Sequence, residues 1–404
     1  MKRTSVLLAL ALAAPASAQE CPPDNVGCHL ADVDFHHRDA LFDDISLDSG
    51  WVPAGSPLQV RFAVFIGGST EVDLGGRAVT SWPPALDVAL PGRPGTGRLA
   101  INYGIQIIAR VRIDVTIAGA RYNWEGDIPL PGSIPRDLRM ANELAFDPFV
   151  LPGSMPRPVS VSDDTSRVHL VTLDITDSLI PIPGIGGGFA LDAIGSLDAA
   201  YQTDRVLVED GISLIETEGG STTVRPDPGA DGFGAAKDLV ILPYGTIDYD
   251  GVVTLIPGLF IEILGRRFDL TIAEVPLTIV DLSSSTDFDP ATVHVPLPDI
   301  DVTPTELMLG DRFLGEVEEQ DLTIANEGEA PLEVTVRDPM SPFEVSATSL
   351  SIPPRSSSSL TVRFSPVELM RTNATLLLAS NDPDEPLIVV RLSGGGLEPA
   401  AREA

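Results

Sequence analysis

Arg110-Val111-Arg112-Ile113-Asp114-Val115-Thr116-Ile117 carries an apolar side chain at every second position. Successive side chains of an extended chain point to opposite faces, so this spacing describes a half-buried strand with one wet face. The same period recurs at Leu58, Val60, Phe62 and Val64, at Val171, Leu173 and Ile175, and at Phe268, Leu270 and Ile272. Between these runs stand clusters that turn a chain: Pro91-Gly92-Arg93-Pro94-Gly95, Pro131-Gly132, and Pro226-Asp227-Pro228-Gly229-Ala230-Asp231-Gly232. Proline presets φ and glycine accepts positive φ, so such clusters end strands at short intervals. With 36 glycines and 36 prolines among 404 residues, long helices have little room. The expectation is an all-β protein. Two short helices are expected as exceptions, over residues 136–146 and 189–201.

The hydrophobic share is 43% and the mean hydropathy +0.17, enough to build a core. Lys and Arg number 26 against 58 Asp and Glu, a formal net charge of −32. That balance excludes nucleic acid as a partner through a basic patch, because such affinity comes mainly from cations on phosphates.

Residues 1–18 read as a cleaved secretory signal. Lys2 and Arg3 precede an apolar run at 6–14, and Ala16-Ser17-Ala18 is a small-x-small cleavage site before Gln19. Loss of those two cations takes the charge from −32 to −34. The run is too short to span a bilayer, which needs about 20 apolar residues, and no later stretch reaches that length. Glu20 precedes Cys21, so lipid attachment there is not expected. The expected location is secreted or periplasmic. Cys21 and Cys28 are the only cysteines, and in an oxidising compartment they are expected to close a small loop within residues 19–28.

Residues 29–295 read as a large β-rich domain, either one unit or two with a break near 148–158. The Pro- and Asp-rich stretch 295–303 then leads into a second unit at 300–396, and a polar tail follows at 397–404. Internal repeats amount to loose echoes, such as Leu179-Ile180-Pro181-Ile182-Pro183-Gly184 beside Leu255-Ile256-Pro257-Gly258.

In the second unit, Leu322-Thr323-Ile324-Ala325-Asn326-Glu327-Gly328 is a strand entering a tight turn. Ser341-Pro342-Phe343, Leu350-Ser351-Ile352-Pro353-Pro354, the alternating Leu360-Thr361-Val362-Arg363-Phe364-Ser365-Pro366 and Ser380-Asn381-Asp382-Pro383 follow. Strands spaced this way over about 95 residues suggest a seven-stranded sandwich. This order of motifs resembles the ASH-type immunoglobulin-like domains, including the bacterial choice-of-anchor D group. The resemblance covers about a quarter of the chain. It implies an immunoglobulin-like β-sandwich and a non-enzymatic interaction or spacer module, with no catalytic residues to carry over. One departure stands out: Met370-Arg371-Thr372-Asn373 occupies the place of the family's Gly-containing turn, so a different turn is expected there.

The densest set of metal-ligand types is His29, Asp32, Asp34, His36, His37 and Asp39. His29, His36, His37 and Asp34 offer donors to zinc, and the aspartates with Asp43 and Asp44 offer oxygens to calcium. The competing account is the solvated face of an edge strand. Asp227 to Gly232 and Asp248-Tyr249-Asp250-Gly251 look like pieces of calcium loops but also like β-turns. Asp48-Ser49-Gly50 matches half of an aspartic protease site, whose chemistry needs two carboxylates sharing a proton. Gly184-Ile185-Gly186-Gly187-Gly188 suggests a phosphate loop, but Pro181 and Pro183 break the strand it requires. His169 and His294 read as satisfied surface histidines.

Residues 105–108, 239–242, 252–256 and 259–264 are apolar on both faces. Two-sided burial accounts for them most simply; an apolar ligand cavity and an outer-membrane barrel are the alternatives. The sequence therefore predicts no enzyme and no cofactor, with calcium as the alternative. The expected role is an exported structural, adhesive or interaction protein of a bacterial cell envelope or exterior, with a protein or glycan partner. A binding protein for an apolar small molecule or lipid is the second reading, and a hydrolase with a dispersed site the third.

Overall fold

The computed structural model describes Cys21 and residues 27–398, apart from 41–44, 84, 118, 129–138, 150–157, 175–184, 210–213, 218–220 and 227–231. The expected signal, most of the proposed break near 148–158 and most of the C-terminal tail lie outside the described residues. Among the described residues every regular element is a strand.

One sheet takes β1 (Cys28–Asp39), β2 (Ile45–Asp48), β3 (Leu58–Ser81), β4 (Leu86–Ala89), β5 (Gly97–Ile117), β6 (Ala120–Ile128) and β7 (Arg139–Phe146). A second takes β8 (Val159–Asp174), β9 (Ile185–Glu209) and β10 (Leu214–Thr217). From there β11 (Ser221–Val224) crosses to pair with β4 of the first sheet. β12 (Ala236–Ile263), β13 (Arg266–Thr271), β14 (Val275–Asp287) and β15 (Ala291–Pro296) complete the second. All these pairings are antiparallel.

The two sheets follow one plan. β1 pairs with long β3, β3 with long β5, and β5 with both its own C-terminal hairpin strand β6 and the returning β7. β8 pairs with long β9, β9 with long β12, and β12 with its hairpin strand β13 and the returning β14. The sequence does not show this repeat, since the loose echo at residues 179–184 and 255–258 falls within the second half alone. Antiparallel pairing asks for alternation, and many different apolar residues satisfy it.

The sheets face each other across a single core. Val60, Phe62, Val64, Leu99, Ile101 and Ile105 come from one side and Leu191, Ala199, Leu239, Ile241, Val253 and Leu255 from the other, all buried. Rings meet across the layers, with Phe35 6.5 Å from Phe288 and edge-on to it. Among Ile66, Tyr103, Ile105, Met140, Leu197, Ile279 and Val280 a cavity of about 10 Å³ remains, room for roughly one water.

Both expected helices are strands. Residues 139–146 are rich in helix formers, yet they pair with β5 from Gly97 opposite Phe146 to Gly104 opposite Arg139, and Met140 is buried between the sheets. Residues 189–201 bury every second side chain from Phe189 through Leu191, Ala193, Leu197 and Ala199 to Tyr201. At 189–201 burial of a whole face outweighs local propensity, and at 139–146 the ladder with β5 and the burial of Met140 do so. A third difference concerns β13. The sequence predicts it half-buried, but all six of its residues are exposed.

Residues 300–397 form a separate sandwich with its own core of Ile324, Leu332, Phe343, Leu360, Phe364, Leu376 and Leu378. Its four-stranded sheet runs β16 (Ile300–Thr303), β18 (Glu318–Asn326), β22 (Ser356–Phe364) and β20 (Phe343–Val345). Its five-stranded sheet runs β17 (Glu306–Phe313), β24 (Leu387–Leu397), β23 (Arg371–Ser380), β19 (Leu332–Arg337) and β21 (Ser349–Ile352). The two strands beyond the expected seven are accounted for in part at Pro304. There the first segment breaks, leaving β16 in one sheet while β17 pairs in parallel with β24 in the other.

Candidate functional site

The six candidate metal ligands all lie on β1, whose alternation divides them. Asp32, Asp34 and His36 point to solvent while Val33, Phe35 and His37 point into the core. Asp32 accepts a hydrogen bond from Arg77 at 2.8 Å, and Asp34 pairs with Arg93. Arg77 is the first cause holding the Asp32 carboxyl below its ordinary value. His36 Nδ1 sits 2.6 Å from Asp73. His37 is buried with Nδ1 2.9 Å from the Asp287 carbonyl oxygen. His29 lies near His294, and burial first, then that charge, lowers its pKa. Asp39 ends the strand opposite Thr70. Neighbouring His36 and His37 therefore serve opposite faces, and no group of three such side chains among the described residues converges on one point.

The other motifs have structural uses. Asp48 holds Arg61 and accepts the Gly50 amide at 2.9 Å, and the Arg61 hydrogen bond leads in lowering its pKa to about 2. Gly188 lies near the start of β9, where a Cβ would stand 2.3 Å from the Leu173 carbonyl oxygen and 2.4 Å from the Phe260 ring. Gly187 and Gly188 thus mark a close approach of strands. Asp248 to Gly251 lies inside β12, paired with β14 across a bulge at Gly251 and Val252. His169 bonds Asp192 and Thr172, both at 2.8 Å. Cys21 and Cys28 are joined by a disulfide.

The sequence gives no hint of the contact between the two sandwiches. His294 of β15 reaches Asp238 at 2.7 Å and, across the junction, Glu329 at 2.9 Å. Those two bonds, Glu329 first, raise the His294 pKa. The Glu329 amide donates to the carbonyls of Ala235 and Leu297, and Ala330 packs into the larger core. Asp384 accepts the Phe233 amide at 3.2 Å. Burial first, then Asp382 beside it, pushes the Asp384 carboxyl up to about 7. The partners lie far apart in sequence, which is why spacing did not reveal them.

Two apolar regions stay open. At the end of the smaller sandwich away from the junction, Phe313, Val367, Leu369, Met370 and Leu397 are exposed together, Phe313 opposite Leu397 and Met370 bonded to Gly396. In the larger sandwich, Ile261 and Ile263 continue the inward row of β12 beyond the core, and Phe268 and Leu270 of β13 stand beside them.

The smaller sandwich is an ASH domain. The family model described as abnormal spindle-like microcephaly-associated, ASPM-SPD-2-Hydin matches residues 298–387. Its signature residues act as packing devices here. Buried Asn326 accepts the Gly328 amide at 3.0 Å and donates to the carbonyls of Ala330 at 2.9 Å and Ile352 at 3.0 Å. Asn381 ties β19 to the β23 turn through the Glu333 amide at 2.8 Å. Among solved structures, the ASH/PapD-like domain 7 of human CEP192 is 15% identical, covering 25% of this chain and 87% of that one at a TM-score of 0.23. WR4, a C. elegans MSP family member, is 17% identical, covering 24% and 97% at 0.19. A Porphyromonas gingivalis W83 protein of unknown function is 15% identical, covering 52% and 91% at 0.22. No curated protein matches the chain.

Proposed function

We propose that this chain is an exported, non-catalytic interaction protein, with the ASH domain as its recognition end. The observation that carries the reading is the exposed apolar end of that domain at Phe313, Leu369, Met370 and Leu397, facing away from the junction. Exposed apolar side chains that cluster in this way mark contacts with other macromolecules. A protein partner fits the ASH match, and the signal-like residues 1–18 support export to the periplasm or medium. The cavity lined by Ile66, Tyr103 and Met140, about one water in volume, is itself too small for an apolar ligand.

The test combines location and contact. The mature protein recovered from each cell fraction is sequenced from its N-terminus, and Gln19 in the periplasm or medium is the expected result. A photoreactive residue at Leu369 should then cross-link one discrete protein in the native envelope, while one at Ile194 on β9 should not. An intact Met1 in the cytoplasm, or equal labelling from both positions, would overturn the reading.

A further inference from the structure

We propose that the outer edge of β13 is the docking surface for a second copy of this chain. β13 pairs with β12 alone, so its other edge presents unpaired backbone groups among the described residues. All six residues from Arg266 to Thr271 are exposed, Phe268 by 57% and Leu270 by 65%. An open strand edge of this kind is a template for another strand unless something blocks it.

The geometry selects the partner. Leu264 and Gly265, both at positive φ, make a two-residue turn closed by Ile263 opposite Arg266. The closing pair of such a turn exchanges both backbone bonds, and bonding then alternates along the hairpin. Arg266, Phe268 and Leu270 therefore spend their backbone groups on β12. Arg267 and Asp269 point theirs outward. An antiparallel two-fold axis through Phe268 places Arg267 opposite Asp269 of the second copy, and the reverse. These are the residues with free amides and carbonyls, so the backbone parity and the charge pattern agree on one register. Phe268 then meets Phe268 of the second copy in the closer, non-bonded kind of pair, and Leu270 lies against the aliphatic stem of Arg266 from that copy. Arg267 and Asp269 pair with each other along the strand at 2.7 Å, and only this register also sets each of them opposite its counterion in the second copy. The contact is isologous and closes on itself, giving a dimer and not a fibre.

The test is a charge swap on the full mature chain, read by sedimentation velocity across concentration. The wild type should dimerise. Arg267→Asp and Asp269→Arg each set like charges opposite one another and should raise the dimer dissociation constant about tenfold or more. An equimolar mixture of the two variants should recover the dimer as a heterodimer, because every acidic side chain again faces a basic one across the axis. Recovery on mixing cannot come from repaired folding, and the melting temperature of each variant alone checks that both fold. A monomeric wild type, a dimer indifferent to both swaps, or a mixture that stays monomeric would each overturn the proposal. So would a monomer that floats with lipid vesicles, which would assign the apolar face to a membrane.

Discussion

Asn326 shows how much one buried polar side chain can decide. Its amide closes the turn at Gly328, pins the chain at Ala330 and Ile352 and accepts the Asp299 amide, so four backbone groups depend on it. Replacing it with alanine leaves those groups buried and short of partners. Asn326→Ala should lower stability by about 3 kcal/mol or more, since each abandoned buried group costs roughly 1–3 kcal/mol. Chemical denaturation of the full chain would measure the loss, and a change within error would remove Asn326 from its place in the fold. The junction adds a pH dependence. Asp384 is raised in the folded state, so its contribution is complete below its ordinary carboxylate value and is lost as pH climbs toward about 7. His294 is raised as well, and its contribution disappears as pH rises through its elevated pKa. Both effects weaken the junction in the same direction. Asp384→Asn keeps an acceptor for the Phe233 amide but carries no charge. It should match the wild type near about pH 3 and melt higher than the wild type near about pH 8. Identical melting curves at both values would refute this account. At this scale the Asn-x-Gly turn was legible because its chemistry is local. His294 was read as a satisfied surface histidine, but its bond to Glu329 exists only after the chain has brought residue 329 back.

At the scale of elements, alternation identified β3, β5 and β8 because each contrasts an apolar row with a polar one. It failed at 139–146, where Met140 is the one buried side chain and the remaining letters favour helix. It failed differently at β13, whose alternating Phe268 and Leu270 imply burial that this chain does not itself supply. Gly188 offers a direct test of the close approach between β8, β9 and Phe260. A Cβ there would come within 2.4 Å of the Phe260 ring. Gly188→Val should cost about 1–3 kcal/mol in overpacking, seen as a lower denaturation midpoint. A variant as stable as the wild type would show that Gly188 is not needed for packing.

For the whole molecule, β12 is the axis. It starts at the junction beside Ala235 and ends in the exposed hairpin, and 28 residues at about 3.3 Å each span roughly 90 Å. The two open apolar regions therefore sit at opposite ends of the protein. Composition announced the all-β class, and the C-terminal motifs announced the ASH sandwich. Neither announced that residues 28–287 run the same strand plan twice, because a plan of pairings leaves no fixed letters behind.

That repetition bears on ancestry. Among the described residues each half builds most of one sheet, and the apolar face of that sheet packs chiefly against the other half. A single half, standing alone, would have needed a twin. The present core then has the logic of an old subunit interface made permanent by duplication and fusion, with β11 of the second half pairing across to β4 of the first. The idea is exposed to experiment. The mature chain cut between β7 and β8 and expressed as two pieces should reassemble into one soluble complex. Pieces that each fold alone, or that never meet, would rule out this history.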